Sequence, residues 1–177
     1  MKLKLLILVL ALQTAWILGT TFQQERALAV GRTILLETER VDPRDLLRGD
    51  YLILNYKISS VPTNLFQPAV TTDLPPGTKV FVTLEQRGQF YEVGSASTER
   101  PGSSSGGIVL QGRCVGPWWN RTNCIHVEYG LERYFVAEGK GNPRGKITVE
   151  AAVPTSGNAL IKQVFVDGKP FAEAMRE

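Results

Sequence analysis

The clearest alternation of apolar and polar positions in the chain runs from Arg48 to Ile58. Successive side chains of a strand point to opposite faces. Asp50, Leu52, Leu54, Tyr56 and Ile58 therefore share one face, and Tyr51, Ile53, Asn55 and Lys57 share the other. The first face is apolar except at its entrance. Asp50 stands there and needs a partner, because burying a lone charge is costly. Upstream, Asp42 suits an N-cap and Pro43 the first helical position, which predicts a short helical turn over residues 43–47.

The same patterning predicts strands over residues 32–41, 79–86, 89–97, 108–115, 123–129, 146–153 and 160–166. Residues 60–77 read as a proline-rich loop, with Pro62, Pro68, Pro75 and Pro76. Residues 130–136 fit either a helical turn or a strand. Asp167-Gly168 is a signal for a tight hairpin, and the tail from Ala172 reads as frayed or a short helix. About eight short strands with turn signals between them, and little helical periodicity after residue 30, predict a mainly β fold. The expected architecture is a single antiparallel β-barrel or sandwich-like domain over residues 30–177.

Residues 1–29 differ in kind. Lys2 and Lys4 precede an uncharged, apolar run from Leu5 to Phe22. A helix needs roughly 20 such residues to cross a bilayer, and about 17 suffice. One reading is a transmembrane anchor with its lysines in the cytoplasm and the domain on the far side. The competing reading is a cleaved signal peptide. Ala27-Leu28-Ala29 has the small-x-small pattern, although Glu25 and Arg26 separate it from the apolar core. Either reading takes the domain out of the cytoplasm.

Composition narrows the chemistry. The chain has 20 basic and 17 acidic residues, and three of the basic ones lie in the first 29 residues with one acid. The remaining domain is near neutral, which argues against nucleic acid as a partner. Two cysteines and one histidine, with no Cys-x-x-Cys pair, argue against structural zinc, and no phosphate-binding glycine loop is present. No cofactor or metal is expected.

Cys114 and Cys124 fall near the inner ends of two strands. If those strands pair as a hairpin, the cysteines can face each other at bridging distance, so a disulfide is expected outside the cytoplasm. Between them, Trp118 and Trp119 sit in a loop. One reads as core, and the other as a candidate anchor for a glycan, peptide or membrane surface. His126 shares a strand face with Cys124 and Glu128, opposite Ile125, Val127 and Tyr129. A hydrolase built on Asp50, Glu132 and His126 lacks an evident nucleophile. No catalytic residue is assigned.

Gly49, Asp50, Tyr51, Leu54 and Tyr56 spell G-D-Y-x-x-L-x-Y. This resembles the bacterial GDYXXLXY domain family, named for that motif. The resemblance extends upstream over residues 41–46 and recurs downstream in Tyr129 to Val136, including Glu132, Arg133 and Tyr134. It implies a small protein with one N-terminal membrane segment, occurring alongside multi-spanning membrane proteins, and no established activity. It implies nothing about Cys114, Cys124, Trp118 or Trp119. Asp50 needs a donor, and Arg133 is the candidate, since a bidentate Arg–carboxylate pair is strong and geometrically defined. Such a contact would join the two motif blocks. The expected role is a non-enzymatic accessory of an inner-membrane complex; the alternative is an envelope ligand-binding module using Trp118-Trp119.

Overall fold

In a computed structural model of the chain, the described residues are 2–39, 51–69, 74–102, 107–116, 123–136 and 145–176. A single helix, α1 (Lys2–Val30), leads the chain. Its apolar surface faces outward all round, with Leu6, Leu12, Trp16 and Phe22 each more than half exposed. Its threonines are satisfied within the helix. Thr14 donates to the Leu10 carbonyl, and Thr20 and Thr21 both donate to that of Ile17, each at 2.9 Å. Such back-bonding removes the cost of a hydroxyl in an apolar medium.

Only Gly31 separates α1 from the first strand, β1 (Arg32–Glu39). β1 continues as one member of an antiparallel sheet. On one side it pairs with β10 (Ile147–Val153), from Arg32 against Val153 to Glu37 against Thr148. On the other, its far end pairs with β3 (Asn55–Tyr56), Thr38 against Tyr56. β11 (Leu160–Val166) and β12 (Lys169–Pro170) complete the order β12-β11-β10-β1-β3. The turn between β11 and β12 is Asp167-Gly168, with φ of 50° and 81°, the left-handed pair that a two-residue hairpin requires. A second five-stranded sheet has the order β4-β8-β7-β5-β6. Its strands are β4 (Ser60–Pro62), β5 (Lys79–Arg87), β6 (Phe90–Ser97), β7 (Ile108–Cys114) and β8 (Cys124–Glu128). A two-stranded sheet pairs β2 (Tyr51–Ile53) with β9 (Arg133–Phe135). A short helix, α2 (Phe171–Ala174), follows β12.

All the strand pairings between these elements are antiparallel. The sheets wrap one core into a near-barrel. Ile34 and Leu36 come from β1, Val80, Val82 and Leu84 from β5, Leu110 from β7, Val127 from β8, Val149 from β10 and Val164 from β11. Each is 1% exposed or less. Full burial of such an aliphatic side chain stabilises by roughly 1.5–3 kcal/mol, so this interior is the main source of the fold's stability.

The mainly β, antiparallel architecture agrees with the sequence pattern. Residues 60–62, expected to be loop, form β4 with Pro62 as its last residue, a position where the missing N–H is tolerated on an edge strand. The ambiguous segment 130–136 resolves into a turn at Gly130, φ 80°, followed by β9. The turn expected over residues 43–47 lies outside the described residues.

Candidate functional site: the motif seam

Residues 51–62 contribute one strand to each of the three sheets. β2 pairs with β9, β3 pairs with β1, and β4 pairs with β8. A 3-10 turn over Lys57–Ser59 carries the chain between the last two. One short stretch thus closes the body by bridging elements far apart in sequence.

The predicted alternation holds along it. Leu52, Leu54, Tyr56 and Ile58 are buried, while Ile53, Asn55 and Lys57 are exposed. Inward pointing gives these side chains to the core, and the backbone then meets the second motif block. The Leu54 amide donates to the Glu132 carbonyl at 2.8 Å. The Tyr56 hydroxyl donates to the Leu131 carbonyl at 2.8 Å, and the Tyr129 hydroxyl donates to the Ile58 carbonyl at 2.7 Å. These two bonds cross in opposite directions, each block supplying one phenol and one carbonyl. Glu132 turns its carboxylate back to accept from the Tyr129 amide at 2.5 Å, which pins the turn that presents the Leu131 carbonyl. Tyr134 pairs with Leu52 on β2 and sets its ring edge-on to Phe171 of α2, with centroids 5.6 Å apart.

Burial raises the pKa of both phenols far above the tyrosine range, and the nearby Glu132 charge adds to the effect. Tyr56 and Tyr129 are therefore neutral hydrogen-bond donors at any ordinary pH. They are suited to locking the seam and unsuited to general acid–base work.

The two motif blocks meet, as the sequence pattern led us to expect, but the contacts described are backbone pairing and two buried phenols. Gly49 and Asp50 lie outside the described residues, and with them the Asp50–Arg133 pair; Trp118 and Trp119 lie outside as well. The expected disulfide is overturned: Cys114 and Cys124 are both free thiols. The register is the reason. Cys114 pairs with Val127, three residues along β8 from Cys124, a distance of about 10 Å at strand spacing. The faces also differ. Cys114 is buried, with its thiol near the Leu74 carbonyl, whereas Cys124 is exposed on the outer row. His126 lies on that outer row, half-buried and paired with Ser60.

Two surface features flank the seam. On β1, Glu37 accepts ion pairs from Lys57 and Lys146, each at 2.5 Å, and Lys146 also lies 5.1 Å from the Phe90 ring centre. Between β9 and α2 is an open depression of about 270 Å³ lined by Tyr134, Phe135, Val136, Phe171, Met175 and Arg176. Beyond α1, the large apolar side chains exposed among the described residues are Ile53 and Phe135, on the outer face of β2 and β9. No group of three or more His, Cys, Asp or Glu among the described residues could hold a metal ion.

The GDYXXLXY protein family model matches residues 13–164, from inside α1 to β11. The chain belongs to that family. Its naming residues can now be read physically: in this GDYXXLXY protein, the Leu and the second Tyr of the motif are Leu54 and Tyr56, the buried seam residues. No curated protein and no solved structure matches the chain. The role of Tyr129 escaped the sequence reading, although its place at the end of the inward row of β8 was a signal for it.

Proposed function

We propose that this GDYXXLXY protein is a non-enzymatic, membrane-tethered β domain on the extracytoplasmic side of a bacterial inner membrane, acting as an interaction subunit of a membrane complex. The observation that carries the reading is α1. It spans 29 residues, exposes apolar side chains on every side and satisfies its own threonines. A helix whose residues 5–22 are uncharged, mostly apolar and packed against nothing is stable in lipid and costly in water. Lys2 and Lys4 favour a cytoplasmic start, which puts the body on the other side. An anchor is favoured over a cleaved leader by Glu25 and Arg26, which separate Ala27-Leu28-Ala29 from the apolar run that ends at Phe22. The test is alkaline extraction of native membranes, followed by crosslinking and identification of the captured proteins. The reading expects an uncleaved chain in the membrane pellet and a reproducible multi-spanning partner. A chain released by alkali, or one that captures no membrane protein, contradicts it.

A second reading, an envelope-ligand module for a glycan or peptide, draws on the aromatic-lined depression beside Tyr134 and Phe171. Binding to immobilised envelope glycans that is lost in Phe171→Ala, with the fold retained, would favour it.

A further inference from the structure

The junction between α1 and β1 has no linker, and Gly31 fits it tightly. The Gly31 amide donates to the Ala27 carbonyl at 2.9 Å. A Cβ at Gly31 would lie 2.5 Å from the Ala27 oxygen, 3.1 Å from the Val153 nitrogen and 3.2 Å from the Ala152 Cβ. The end of the helix is therefore packed onto the end of β10. Ala27 and Leu28 are half-buried there, while residues 4–26 are exposed, so α1 leaves the body at once and does not lie along it.

Bilayer dimensions fix how far the body can stand from the lipid. About 20 apolar residues fill the hydrocarbon core, and the headgroup layer adds about 5–7 Å on each side. The apolar run ends at Phe22, and Gln23 to Ala27 rise about 7 Å. The body is reached where the headgroup layer ends. We propose that the near-barrel stands end-on against the bilayer surface, with Arg32 and the turn after β10 (residues 154–159) against the lipid headgroups. This rests on the anchor reading and extends it from a tether to a surface. Thr155, Ser156 and Asn158 are exposed on that turn. Arg100 fixes it by donating to the Thr155 carbonyl, and the Gln111 amide donates to the Gly157 carbonyl at 2.9 Å. Exposed Arg26 and Arg32 bracket the junction, with Glu25 beside them, and guanidinium groups at this depth pair with phosphate. The motif seam lies at the other end of β1, about 23 Å away at strand spacing, with Ile53 and Phe135 turned to the aqueous side.

The test uses the full chain in vesicles of phosphatidylethanolamine and phosphatidylglycerol, with Cys124→Ser removing the exposed thiol. A fluorophore is placed at Thr155→Cys or at Asn55→Cys, and quenching by a headgroup-labelled lipid is measured. Quenching several-fold stronger at position 155 than at 55 is expected, and a flexible Gly-Ser insertion between Ala29 and Val30 should abolish the contrast without changing the thermal midpoint of the body. Equal quenching at the two positions, in a chain that resists alkaline extraction, overturns the end-on placement and leaves the anchor standing. Release of the chain by alkali removes both.

Discussion

The two ends of β1 are held by different physics. At Gly31 the contact depends on shape: one hydrogen bond, and a residue without a side chain where a side chain would collide. At Thr38 and Glu39 the chain meets the seam, where three sheets share one stretch and two buried phenols cross between motif blocks. The first end sets the direction of the helix and contributes little to the core. The second closes the core. Damage to the seam should therefore unfold the body, whereas damage to the junction should leave it folded and change how it is presented.

Truncating the seam's apolar row should have the largest effect. Leu54 is 1% exposed, and Leu54→Ala both removes transfer energy and leaves a cavity. The expected loss is about 2–5 kcal/mol, measured by chemical denaturation of the body. A loss well under 1 kcal/mol would mean that the seam does not close the core.

Next come the phenols. Tyr56→Phe and Tyr129→Phe each leave a buried carbonyl short of a donor, at a cost of about 1–3 kcal/mol. The double variant should depart from additivity, because both bonds hold the same pair of blocks. Alkali gives an independent check. The folded pKa of each phenol lies above its unfolded value of about 10, so the stabilising contribution is intact below that value and declines as pH rises beyond it. The ultraviolet signal of two tyrosinates should appear together with unfolding, not before it. Ionisation of both while the β signal persists would contradict their burial.

Much of this was legible locally. The alternation through Leu52, Leu54, Tyr56 and Ile58 specified the inward row, and Asp167-Gly168 specified its hairpin. The division of that row between β2 and β3 was not legible, because pairing partners are set by residues such as Arg133 and Thr38, far away in sequence. β4 was hidden by Pro62, whose neighbours looked like loop. The cysteines show the converse. Ile125, Val127 and Tyr129 already gave β8 its inward row, and Cys124 falls on the other one. Facing cysteines were expected from their places near the inner ends of two paired strands; the strands do pair, but register and face parity separate the thiols. A thiol reagent should accordingly modify Cys124 in the folded protein and spare Cys114.

At the junction, Gly31→Val should cost on the order of 1 kcal/mol, less than either seam change. It should instead expose Ala27-Leu28-Ala29 to added protease, because the helix end must move away from Val153. Unchanged protease resistance together with an unchanged midpoint would show that the fit at Gly31 is not a constraint.

The smallest expected effect lies beside the seam, at Glu37. Lys146 and Lys57, in that order of influence, hold its carboxyl below the ordinary value of 4.5. The unfolded chain therefore takes up the proton first as acid is added. The contribution is complete above the ordinary value and disappears as pH falls through the lower folded one. Both lysines are more than half exposed, so water screens the pairs and the gain is under about 1 kcal/mol. Glu37→Gln should lower stability slightly at neutral pH and flatten its decline in acid. Raised salt should shrink the difference between the two proteins. A salt-independent loss of several kcal/mol would instead show that Glu37 fastens β1 to β3 and β10, and the seam would then owe its closure to a surface charge as well as to its buried phenols.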